Sequence, residues 1–156
     1  MAREQLKGYP AYLRDLRDAV ADFQAFLQNI DGLELVTGAS ASVQDCAFTQ
    51  IVLRLDEGKI QLGKARFREM LSVQGIATWH ANFEAITSLS FFQEETWRNW
   101  ILLGDVERAA ENYGAEYPVH QQVYNHSGLG IAKTHFASPW RLRDLKVKLL
   151  KCLSSA

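Results

Sequence analysis

The sequence has few of the features that characterise secreted, membrane-spanning or nucleic-acid-binding proteins. Its two cysteines, Cys46 and Cys152, lack metal-type spacing, and we expect both to be reduced, buried thiols. With 17 basic and 18 acidic residues, the net charge of -1 gives no support to nucleic acid or an anionic membrane as partner. No apolar run approaches the roughly 20 residues that cross a bilayer, and the first ten residues contain no apolar signal core. We therefore expect a cytoplasmic protein.

Motifs for metal binding, dinucleotide binding and nucleophilic catalysis are also missing. His120 and His126 are six residues apart, which places them on different faces of a helix and disfavours a metal pair. The sequence from Gly128 to Gly130 lacks the third glycine and the preceding strand of a dinucleotide fingerprint. The serines and histidines form no recognisable nucleophile elbow. The residues alone therefore predict no metal site and no catalytic residue.

The apolar pattern, in contrast, predicts a well-defined order of elements in the first half of the chain. Apolar residues at alternating steps of three and four predict a long helix over residues 10–30. Residues 33–37 and 46–56 read as strands, and a helix that ends near Gln74 is followed at Gly75 by another strand. Strand, helix and strand at this spacing predict a βαβ unit with two parallel strands.

The second half predicts a helical stretch, a strand and a last helix. Residues 90–104 carry a broad apolar stripe, Pro118 starts a short helix, and residues 128–136 read as a strand. Ser138 and Pro139 suit the start of the final helix. We expect one α+β domain over residues 1–156, with a helical insertion at 87–116. It has a small mixed sheet containing the βαβ unit, helices mainly on one face, and long N-terminal and C-terminal helices.

Short motifs accompany this order of elements: residues 32–35 (GLEL), 48–55, Phe67-Arg68, 75–78 (GIAT), 117–119 (YPV), 133–135 (KTH) and the final helix from Ser138. Together they resemble the C-terminal small domain of the DegT/StrS-type sugar aminotransferases, fold-type-I enzymes that use pyridoxal phosphate. The sequence departs from the family after its GIxT strand, where a His-Tyr-x-Pro run is usual. Here the histidine comes one position early and the proline is absent.

The resemblance implies a domain that closes the pocket over a sugar or cyclitol substrate. Its substrate-binding residues would be Trp79, His80, Asn82, Lys133 and His135. In the family, the lysine that forms the internal aldimine, its aspartate partner and the phosphate cup belong to a preceding large domain. No lysine here lies in a comparable motif, so we expect no cofactor in the isolated chain, and pyridoxal phosphate only after pairing with a large domain.

Alternatives stay open for both the residues and the function. Trp79 is equally well explained as a core residue and His80 as a surface imidazole, while Lys133 and His135 fit a solvated strand face. The chain is either part of an enzyme or a non-catalytic interaction and dimerisation module with the same fold. A small-ligand-binding domain unrelated to these enzymes is a third hypothesis. The expected partner is a large catalytic domain or a second copy, bound through aromatic residues of the first helix and the 90–104 segment.

Overall fold

Apolar spacing and a few turn residues set the bounds of the elements. The structure is a computed structural model that describes residues 2–37, 42–48, 50–81, 89 and 117–155. In chain order its elements are α1 (Ala2–Leu27), β1 (Leu33–Leu35), a 3₁₀ turn (Val43–Asp45), β2 (Ile51–Leu55), α2 (Glu57–Ile60), α3 (Lys64–Val73), β3 (Thr78–His80), α4 (Pro118–Gln122), a π-helical turn (Val123–Ser127), β4 (Gly128–Ile131), a second 3₁₀ turn (Lys133–Phe136) and α5 (Pro139–Ser154).

The four described strands form one sheet in the order β1-β2-β4-β3, and every neighbouring pair is antiparallel. Gly130 pairs with Val52 on one side and with Trp79 on the other. Strands β2 and β3 therefore point the same way, as the expected βαβ unit requires, but β4 lies between them. We expected a mixed sheet, but the sheet is antiparallel. The reason is that β4, which is buried along its whole length, lies between β2 and β3 and forms hydrogen bonds to both of them.

The core lies between the sheet and helices α1, α3 and α5, which confirms the α+β class with long helices at both ends. Alternate residues of β2 face the helices, so Leu53 is fully buried while Arg54 is exposed. Phe67 on α3 and Leu145 on α5 belong to the same buried cluster. Leu53 and Phe67 are therefore core residues.

The other face of the sheet carries polar side chains and glycines. Arg54 and Glu34 form an ion pair at 2.8 Å across β1 and β2. The indole of Trp79 lies against Gly130, where a β-carbon would collide with the ring. Glycine at this position allows the tryptophan ring to cover the central strand directly.

Several boundaries differ from those predicted. Helix α1 continues to Ala2 with Pro10 inside it, although proline usually starts a helix. The predicted strand 46–56 is shortened to β2, and the predicted strand 128–136 ends at Ile131 because the chain turns into a 3₁₀ helix. Gly75 has φ +75°, the left-handed conformation expected at the end of α3. Apart from Leu89, the predicted insertion at 87–116 lies outside the described residues.

Candidate functional site

A polar cluster lies where β3 and β4 meet α3 and the π-helical turn, and it begins with a buried lysine. Lys64 shares its helix face with Phe67 and Leu71, so its stem enters the core and its side chain is only 1% exposed. The ammonium group donates hydrogen bonds to the backbone carbonyls of Tyr124 and Val123. This lysine ties the first turn of α3 to the π-helical turn.

His80 completes the cluster from the end of β3. Its Nε2 lies 2.7 Å from Nη1 of Arg68, and its Nδ1 lies 3.1 Å from the carbonyl oxygen of Tyr124. A guanidinium offers only donors and a carbonyl only acceptors, so Nε2 accepts and Nδ1 carries the proton. The imidazole also stacks on the Tyr124 ring at 4.4 Å between centroids and 14° between planes. These three contacts, with Arg68, with the Tyr124 carbonyl and with the Tyr124 ring, fix the orientation of the His80 ring.

The cluster is rich in positive charge. Burial lowers the pKa of Lys64 from its ordinary value of 10.5, and the nearby Arg68 lowers it further, while Glu57 acts in the opposite direction. Glu57 accepts a hydrogen bond at 2.7 Å from the Lys64 backbone amide and lies 3.3 Å from Nδ1 of His126. Its carboxylate therefore caps the start of α3. Within the described ranges, no group of three or more His, Cys, Asp or Glu side chains is arranged to hold a metal ion.

Two open grooves flank this cluster. The larger, about 830 Å³, runs past the ends of α1, β1 and β2, and its charges are paired, as in Asp31 with Lys59 at 2.8 Å. The smaller, about 420 Å³, lies between α3 and β3, and its polar lining residues are Arg68, Glu69, Ser72 and Thr78. The carboxylates outnumber the lysine and arginine side chains in the larger groove, whereas the smaller one has a single acidic and a single basic residue.

The structure brings together only some of the predicted site residues. Trp79 and His80 are adjacent on β3 and therefore lie on opposite faces of the sheet, with Trp79 over Gly130 and His80 on the helix side. Asn82 lies outside the described residues. Of the predicted site residues in the described part of the chain, only Trp79 and His80 lie on β3, and they do not share a surface.

Lys133 and His135 lie elsewhere. His80 pairs with Leu129 near the start of β4, whereas Lys133 follows the other end of that strand and donates to the Phe48 carbonyl at 3.3 Å. The expectation that Lys133 and His135 share one side of a strand is wrong, because residues 133–136 form a 3₁₀ turn. These two residues form no common site with His80.

The surroundings of His135 favour the neutral form of its imidazole. Partial burial lowers its pKa from 6.5, and Lys148 and Arg141 lower it further, while Asp144 opposes them. The imidazole is therefore largely neutral at pH 7. A neutral ring adds no charge to an anion site at this end of the sheet.

Sequence reasoning assigned no role to Lys64, Arg68 or Tyr124. One signal was present, because Lys64, Phe67 and Leu71 are spaced by three and four residues and so occupy a single helix face. A lysine within an apolar stripe predicts a buried cation with specific acceptors. Tyr124 gave no comparable signal, since its contribution comes from its backbone carbonyl and its ring position.

Comparison with known proteins gives a result only at the level of structure. No family model and no curated protein matches the sequence. Among solved structures, Helicobacter pylori PseC, an aminotransferase involved in the biosynthesis of pseudoaminic acid, matches with a TM-score of 0.67 and 13% identity over 98% of this chain. The chain has an aminotransferase-like fold.

A second solved structure supports the same conclusion. The aminotransferase TlmJ from Streptoalloteichus hindustanus matches with a TM-score of 0.55 and 14% identity, again over 98% of this chain. The chain spans 36% of the PseC chain and 35% of the TlmJ chain. It therefore corresponds to about a third of each of these aminotransferases.

The described residues do not fit pyridoxal phosphate as a resident cofactor. Lys64 is the buried lysine of the described part, but its amine is enclosed and already bonded to two carbonyls. The start of α3, where backbone amides would suit a phosphate, is occupied by the Glu57 carboxylate. A binding site for this cofactor would therefore need residues beyond those of this cluster.

Proposed function

We propose that this chain acts as the C-terminal small domain of a DegT/StrS-type, pyridoxal-phosphate-dependent aminotransferase for sugar or cyclitol substrates. The observation that carries the proposal is the structural match, which uses nearly all of this chain and about a third of each aminotransferase. In this proposal a separate large domain supplies the lysine and the phosphate cup. The present chain closes the substrate pocket.

The end of β3 is the part proposed to face the substrate. His80 is held by Arg68 and by the Tyr124 carbonyl, so its ring is fixed before any ligand arrives. A fixed polar group costs less entropy on binding than a mobile one. Trp79, on the opposite face of β3, and Asn82 are proposed as further substrate-binding residues, and Lys133 and His135 as a separate group at the far end of β4.

The first test concerns the chain encoded immediately upstream. We expect it to end near a large-domain boundary, to carry the cofactor lysine, and to form a complex with this chain when the two are co-expressed. The complex should bind pyridoxal phosphate and transfer an amino group to members of a panel of keto sugars and keto cyclitols. No complex, or a complex without transaminase activity, would contradict the proposal.

Two variants of the active complex locate the substrate site. His80→Ala should raise KM for the substrate, because the fixed imidazole lies at the proposed pocket edge. His126→Ala, the same substitution at an exposed position of the π-helical turn, serves as the matched control. Equal effects of the two substitutions would mean that the end of β3 has no special role.

A non-catalytic dimerisation module with the same fold is the second candidate. Leu6, Tyr9 and Tyr12 on α1 are 67%, 47% and 48% exposed, and the two tyrosine rings lie 6.3 Å apart. The buried residues of this helix begin at Leu16, so its N-terminal half offers apolar surface beyond the core. Such a surface suits either a large domain or a second copy.

A further inference from the structure

The groove between α3 and β3 contains an arginine with an incomplete set of partners. Arg68 is partly buried, and its Nη1 donates to the neutral nitrogen of His80. Its Nε is buried without an acceptor. A buried donor that lacks a partner costs free energy, and most such donors in proteins are satisfied.

Arg68 also has no carboxylate partner within the described part of the chain. Glu69 lines the same groove, but its carboxylate is paired with Arg66 at 2.6 Å, and both side chains are well exposed. Glu57 is engaged by the start of α3 and by His126. The positive charge of Arg68 therefore stands beside that of Lys64 without a counter-ion in this part of the structure.

The groove walls add hydroxyl groups at suitable places. Ser72 lies one helical turn beyond Arg68 and on the same side of α3. Thr78 faces it from the first position of β3, where it pairs with Ile131. A planar guanidinium with two nearby hydroxyls is a chemistry suited to carboxylate or phosphate oxygens.

We propose that Arg68, Ser72 and Thr78 form a binding site for the carboxylate or phosphate group of a small molecule in the groove between α3 and β3. His80 acts as a positioning residue because its hydrogen bond to Nη1 fixes the orientation of the guanidinium. The groove volume of about 420 Å³ is sufficient for a small acid. The site needs only these described residues, so it is independent of the proposed aminotransferase function.

The test is a titration of the full chain with succinate and, separately, with inorganic phosphate at constant ionic strength, followed by NMR. We expect saturable shifts of the Arg68 Nε–H signal and of the Ser72 and Thr78 backbone amides. Tighter binding of succinate would identify a carboxylate ligand, and tighter binding of phosphate a phosphate group. The absence of saturable shifts with both probes would overturn the proposal.

Variants separate a built site from general surface charge. Arg68→Gln should weaken binding about tenfold or more, because a charged hydrogen-bonding partner is lost. Arg14→Gln removes the same charge from an exposed position of α1 that does not line the groove, and should leave the affinity unchanged. Ser72→Ala, at an exposed position that should not affect folding, is expected to weaken binding two- to threefold, on the order of one weak hydrogen bond. Equal losses in the Arg14 and Arg68 variants, or an unchanged affinity in Ser72→Ala, would refute the site.

Discussion

Replacement of Phe67 by alanine tests the packing of α3 on the sheet. Phe67 is 1% exposed and lies in the core cluster with Leu53. Loss of a fully buried phenyl ring removes its transfer free energy and leaves a cavity, which should cost about 3 to 5 kcal/mol in the free energy of unfolding. For a chain of this size that corresponds to a fall in Tm of about 6 to 20 °C. Urea unfolding followed by circular dichroism measures the loss in the free energy of unfolding.

Two further variants make the experiment decisive. Leu53→Ala removes a side chain with no exposed surface on the facing sheet and should cost about 2 to 5 kcal/mol. Val73→Ala lies on the same helix but is 79% exposed, and should change stability by less than about 0.5 kcal/mol. A change below about 0.5 kcal/mol at both Phe67 and Leu53 would show that the assigned helix and strand faces are wrong.

The remaining predictions concern pH, cofactor and assembly. Because the pKa of Lys64 is lowered in the folded chain, the unfolded chain binds more protons as pH approaches 10.5, so stability attributable to this residue should rise with pH in that range. Lys64→Met should remove this rise, and equal slopes of unfolding free energy against pH in both proteins would contradict it. The isolated chain should not bind pyridoxal phosphate as a Schiff base at one specific lysine, because no lysine lies in a cofactor-binding motif; a borohydride-sensitive absorbance band with one modified lysine would contradict this. The isolated chain should self-associate through α1, and Tyr9→Ser with Tyr12→Ser should weaken the dimer in light scattering, whereas a concentration-independent monomer mass would exclude it.

Local sequence signals predicted the helices and turns well. Ser138 and Pro139 correctly placed the start of α5, and its buried residues Leu142, Leu145, Leu149 and Cys152 follow steps of three and four residues along one helix face. Gly75 correctly placed the end of α3. These features depend on residues close together in the sequence, so a single sequence contains the information that determines them.

The sheet order and the site depended on contacts between distant segments. The sequence of β4 does not predict that this strand lies between β2 and β3. Its antiparallel pairing with both strands is determined by the path of the chain that connects β3 to β4. The polar cluster also depends on contacts between distant segments, since Lys64 and His80 both contact the carbonyl of Tyr124, which lies far from them in the sequence. The position of Lys133 was missed because a 3₁₀ turn follows β4 directly.

The position of β4 has a consequence for how the chain is made. During synthesis β1, β2 and β3 leave the ribosome before the strand that joins them, so only the β1–β2 hairpin can form early. Strands β2 and β3 cannot form their hydrogen bonds to β4 until residues 128–131 have been synthesised. Sheets that depend on such distant pairing fold slowly. Nascent chains that stall before this strand should be bound by chaperones or degraded, and those that pass it should become resistant to protease in one step.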